Sequence, residues 1–149
     1  MDNLSIAIEE VWLKNQHVFT QIISGFGLDE SESGKILQKV RSSTSSECGN
    51  DGDISPRLWM AKKIVRQCVF QVSREMFLSP PVPGNPEQPL KPFLKSFAFP
   101  KTRQMSLPVW TSYLLVDIIG FNDLEAAIIL NVHPFRLREQ LSTARSLVA

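Results

Sequence analysis

Seven of the ten prolines, Pro80, Pro81, Pro83, Pro86, Pro89, Pro92 and Pro100, fall between Leu78 and Gln104. Proline lacks the N–H that a helix interior needs, and its ring collides with the turn before it, so no regular helix can persist through that segment. The chain is therefore expected to divide into residues 1–77, a Pro-rich linker at 78–104, and residues 105–149. The other three prolines, Pro56, Pro108 and Pro134, each stand directly before an amphipathic run, where a fixed φ and a missing donor suit the first helical turn.

Helical periodicity fills both sides of the linker. Leu4, Ile8, Val11, Trp12, Phe19, Ile22 and Ile23 recur on one face of a first helix, which Gly25 and Gly27 should stop. A second, shorter helix is expected to begin near Asp29 to Glu32 and run through Ile36, Leu37 and Val40. Its acidic first turn complements the helix dipole. The polar stretch Ser42 to Ile54 reads as a loop. Ser55 and Pro56 open a third helix that continues to about Phe77, with Leu58, Ala61, Val65, Cys68, Val72 and Met76 wound onto one side. Beyond the linker a fourth helix runs from Pro108 to Ile119 and ends at Gly120. The fifth starts with a capping box, Asn122 to Glu125, and a sixth starts at Pro134 and runs through Leu147. No period-two alternation occurs, so the expected fold is all-α: two small helical modules of three helices each, the C-terminal one a helix-turn-helix.

The whole chain of 149 residues carries a formal charge of +1. Residues 1–90 hold nine basic and eleven acidic side chains, and residues 91–149 hold seven and four. The balance argues against indiscriminate coating of nucleic acid, while a basic end leaves room for a small recognition surface. No apolar run is long enough to span a membrane and the start lacks the basic head of a secretory signal, so a cytoplasmic location is expected. No catalytic constellation stands out. Glu9 and Glu10 point about 100° apart on a helix face and read as surface charges. His17 and His133 are isolated, and Cys48 and Cys68 form no ligand cluster, so no metal or cofactor is expected and the chain does not read as an enzyme.

Two short helices joined by the break Asn131-Val132-His133, with small Ala126 and Ala127 in the first, have the layout of a helix-turn-helix. Winding the last helix sends Leu137, Leu141, Ala144 and Val148 to the core. Phe135, Arg138, Glu139, Ser142 and Arg145 then point outward, flanked by Arg136 and Thr143. Arginine can bond guanine edges bidentately, glutamate can accept from cytosine, and hydroxyls can reach phosphate, so this side has chemistry suited to a major groove. On the third helix Lys62, Lys63, Arg66 and Arg74 cluster opposite the apolar stripe, a pattern shared by solvated faces and phosphate-binding faces alike.

The stretch from Gly120 through Asn122-Asp123-Leu124-Glu125-Ala126-Ala127-Ile128-Ile129-Leu130-Asn131-Val132, with Leu137, Leu141-Ser142 and Ala144-Arg145, resembles the C-terminal promoter-reading module of small bacterial RNA polymerase sigma factors of the extracytoplasmic-function type. Leu107-Pro108 resembles the Leu-Pro that opens that module's preceding helix. In the N-terminal half, Leu37-Gln38 with Val40 is similar to the family's polymerase-docking helix, and Trp59-Met60 with Ile64 to its promoter-facing helix. The resemblance implies promoter DNA contacts by Phe135, Arg136, Arg138, Glu139, Ser142, Thr143 and Arg145, and by Lys62, Lys63, Arg66 and Arg74. It also implies polymerase-core contacts by Lys35, Gln38 and Lys39, and an anti-sigma factor as a further partner.

The chain departs from the family where Ser33-Gly34-Lys35 replaces Ala-Glu-Asp, where Phe135-Arg136 replaces Gly-Thr, and in an acidic loop at 42–54 without an aromatic residue. These departures support a second expectation: a degenerate sigma-like interaction module that engages an anti-sigma factor or another regulator without melting promoters.

Overall fold

The computed structural model describes the backbone of residues 3–47, 54–78 and 105–148, and the side chains of 8–44, 54–74 and 105–148 within them. Residues 79–104 of the linker expected at 78–104, the acidic tip of the 42–54 segment and Met76's side chain lie outside the described residues, while Leu78 is the last residue of a helix. The described residues form helices α1 (Asn3–Gly25), α2 (Glu30–Glu47), α3 (Pro56–Leu78), α4 (Leu107–Tyr113), α5 (Asp123–Leu130) and α6 (Pro134–Val148), with no strand among them. The fold class is all-α.

Helix α1 buries Ile8, Trp12, Phe19, Ile22 and Ile23 and ends where Gly27 takes φ 74°. Asp29 then caps α2, its carboxylate accepting the Glu32 N–H at 2.8 Å. The helix runs through Ser42 and on to Glu47, so the loop expected from Ser42 is helical for its first six residues. The hydroxyls of Ser42, Ser43 and Thr44 each bond back to a carbonyl four residues earlier, which satisfies their polar groups within the helix instead of against it.

Helix α3 is the central element. The expected stripe of Leu58, Ala61, Val65, Cys68 and Val72 is buried, and so are Trp59, Met60 and Ile64, because α1, α2 and α5 all pack around it. Burial pushes the Cys68 thiol up to about 12, since the charged thiolate would lose its water in this core.

Ser106 caps α4, which continues past Tyr113 as one π-helical turn, Leu114–Ile119, closed by the Gly120 N–H bonding the Leu115 carbonyl. Gly120 has φ 107°, a conformation that favours glycine.

The two halves share one core. The Trp110 indole N–H donates to the Gly25 carbonyl at 2.9 Å, and Leu114 lies so close to Gly25 that a Cβ there would meet Leu114 Cδ1 at 2.4 Å. Helix α5 packs on α3, where Arg57 pairs with Glu125, and Val69 of α3 lines a common groove with Leu130 and Val132. An apolar groove of about 250 Å³ opens there, bounded also by Leu107 and Pro108.

Candidate nucleic-acid interface

Helix α5 begins with a complete capping box: Asn122 Oδ1 accepts the Glu125 N–H at 2.8 Å, and the Glu125 carboxylate accepts the Asn122 N–H at 3.1 Å. Ala126 and Ala127 are buried, which lets neighbouring helices approach closely. The helix ends on Asn131 at φ 54° and ψ 48°, and the Val132 N–H returns to the Ala127 carbonyl at 3.0 Å. Asparagine tolerates this left-handed cap better than most side chains. The chain then re-enters a helix almost at once. His133 Nδ1 accepts the Phe135 N–H at 3.1 Å and caps α6, whose first residue is Pro134.

Helix α6 buries Leu137, Leu141 and Ala144 and half-buries Val148. Phe135, Arg136, Arg138, Glu139, Ser142, Thr143 and Arg145 are all exposed. The arginines are not equivalent. Asp117, in the π-turn, grips Arg145 bidentately, with Nε to Oδ2 at 2.9 Å and Nη2 to Oδ1 at 2.8 Å. That hydrogen-bonded carboxylate also raises the guanidinium's proton affinity above its ordinary value. Arg138 Nε stands 3.9 Å from Asp123 Oδ2, a looser pairing. Arg136 has no acidic partner among the described residues. Asp117 and Asp123 thus face two of the three arginines, and with exposed Glu139 the three carboxylates on or beside this face equal its three guanidinium groups in number. The basic surplus expected of the C-terminal end resides in Lys91, Lys95, Lys101 and Arg103, outside the described residues.

Helix α3 differs. Arg66 and Arg74 are exposed, Lys62 and Lys63 are half-buried, and none has an acidic partner among the described residues. Lys63 Nζ lies 5.3 Å from the Trp59 ring centroid. Phe70, 63% exposed, stands one turn from both Arg66 and Arg74 and was not singled out by the sequence pattern. The same winding that finds the basic stripe puts Phe70 within it, which is the signal that could have found it.

Lys35, Gln38 and Lys39 are exposed together on α2. Nearby, Arg41 pairs with Glu9 and lies over Trp12 at 5.9 Å. Arg57, through its contacts with Phe121 and Glu125, links α3 to the start of α5. Among the described residues no three His, Cys, Asp or Glu side chains come together as metal ligands, and no helix is long and apolar enough to cross a membrane.

No family model matches the sequence, and no curated protein matches it. Among solved structures, CnrH in complex with the cytosolic domain of CnrY shares the fold, with a TM-score of 0.67 at 15% identity. The likeness covers 95% of this chain and 84% of that one, and so spans both helical halves.

Proposed function

We propose that this chain is a sigma-like transcription regulator, acting in the cytoplasm without cofactor or catalytic chemistry of its own. The observation that carries the reading is the likeness to CnrH across 95% of the chain, since CnrH is an extracytoplasmic-function sigma factor bound to the anti-sigma protein CnrY. The α5–α6 pair meets the sequence requirements of a helix-turn-helix and would present Arg136, Arg138 and Ser142 to promoter DNA. The stripe of Lys62, Lys63, Arg66 and Arg74 on α3, which has no acidic partner among the described residues, suits phosphates, which dominate such affinity. Lys35, Gln38 and Lys39 on α2 are the corresponding polymerase-core contacts.

A second reading draws on the neutral charge of the α6 face. Phe135 is 64% exposed, and Leu124 and Ile128 stand outward on α5, so the C-terminal half offers apolar anchors with little net charge. Such a surface suits a protein partner better than a polyanion. On this reading the chain is a degenerate sigma-like module that engages an anti-sigma factor or other regulator and does not melt promoters.

Affinity capture from lysate, using the tagged full chain, separates them. Recovery of core RNA polymerase supports promoter-directed function, and recovery of a small partner without polymerase supports the interaction module.

A further inference from the structure

We propose that Asp117 is a positioning residue that withholds Arg145 from nucleic acid, leaving Arg136 and Arg138 as the phosphate-contacting cations of α6. The inference rests on the promoter-binding reading and sharpens it.

Its basis is geometric. The Nε–Nη2 edge of a guanidinium fits one carboxylate or phosphate at a time, and Asp117 occupies that edge of Arg145 at hydrogen-bonding distance and balances its charge, so that a phosphate meeting the remaining Nη1 end would find little net positive charge. Asp117 is anchored by the π-turn, which Gly120 closes at one end and the buried Leu114 and Leu115 hold at the other. The carboxylate side is the more buried one, at 24% side-chain exposure against 55% for Arg145, so the arginine is drawn back onto the preceding element. Tyr113, Asp117 and Asp123 are the titratable groups that bear on Arg145. Only Asp117 is hydrogen-bonded to Arg145; Tyr113 and Asp123 act on it through charge alone. Arg138 lacks such a grip, at 3.9 Å from Asp123, and Arg136 has no partner among the described residues. One exposed face therefore holds a restrained arginine, a loosely paired one and a free one.

The test measures the salt dependence of binding to a short labelled DNA duplex, using the full-length chain. Each phosphate contact contributes about 0.9 to the slope of log affinity against log salt. Arg136→Ala is expected to make the slope shallower by about that amount, whereas Arg145→Ala leaves it unchanged. Asp117→Asn frees Arg145 and makes the slope steeper by about 0.9, and Asp117→Glu, which keeps the charge, does not. A brace with only a structural role would not steepen the slope in Asp117→Asn. Should Asp117→Asn fail to fold, the comparison of Arg145→Ala with Arg136→Ala still decides. Slopes that fall equally in those two variants overturn the withholding role alone. A wild-type chain that binds no duplex overturns the promoter-binding reading together with the role built on it.

Discussion

Arg57 Nη1 lies 2.7 Å from Glu125 Oε2, an ion pair that spans 68 residues of sequence and joins the first turn of α3 to the first turn of α5. The same guanidinium lies over the Phe121 ring, 4.8 Å from its centroid. Glu125 thus serves both its own helix start and the junction between the two halves.

This dual role has a pH signature. Partial burial alone would raise the Glu125 carboxyl, but the Asn122 N–H and the Arg57 guanidinium together hold it below the usual carboxylate range. A depressed folded-state value means that the pair's contribution is full above the unfolded carboxylate value and is lost as pH falls through the folded one. Glu125→Gln retains a side chain able to close the capping box and removes the charge. We expect it to cost less than about 1 kcal/mol at neutral pH, as befits a partly exposed pair, and to flatten the acid limb of stability measured by urea unfolding.

Gly25 is required by close approach. In Gly25→Ala the new Cβ would lie 2.4 Å from Leu114 Cδ1, and Leu114 is 1% exposed, with little space to retreat into. The substitution also strains the Trp110–Gly25 hydrogen bond. Urea unfolding should register a loss of about 1–3 kcal/mol, typical of an overpacked interface, with a shift in Trp110 fluorescence.

Asn131 carries a positive φ that closes α5 before the turn to α6. Asn131→Gly is expected to stay within about 0.5 kcal/mol of the parent, while a β-branched Asn131→Val costs about 1–2 kcal/mol. Equal midpoints for the two variants in urea would contradict this account of the turn.

Cys68 should be inert while the two halves remain packed. Its thiol, raised to about 12 from an ordinary 9.0, stays protonated in the fold at pH values where the unfolded chain ionises it. Stability from this group is complete below 9.0 and declines as pH climbs toward about 12. In a Cys48→Ser background, alkylation of Cys68 should proceed only at the rate of unfolding, and rapid labelling of the native chain would refute the buried setting.

Local signals in the sequence carried much of the architecture. Gly25 and Gly27 marked the end of α1, Pro56 and Pro134 marked helix starts, and Asn122 with Glu125 spelled out a capping box that the structure contains. Propensity alone makes the Ser42–Ser46 run a loop, because it penalises serine and threonine, whereas in the structure three hydroxyls bond back along the helix and Thr44 is buried. The outward face of α6 followed from winding alone. Its charge state did not, because Asp117 and Arg145 are 28 residues apart and meet only when the π-turn packs on α6. The joining of the halves is equally hidden, since Arg57 and Glu125 are 68 residues apart and the capping box that marks Glu125 says nothing of a partner outside its own helix.

The most direct test of the sigma-like reading is transcription in vitro from fragmented genomic DNA by the source organism's core RNA polymerase, with and without this chain. The account predicts new, discrete RNA 5′ ends that require the chain, share an upstream sequence and are lost together in an Arg136→Ala, Arg138→Ala double variant. An identical set of 5′ ends with and without the chain would contradict it.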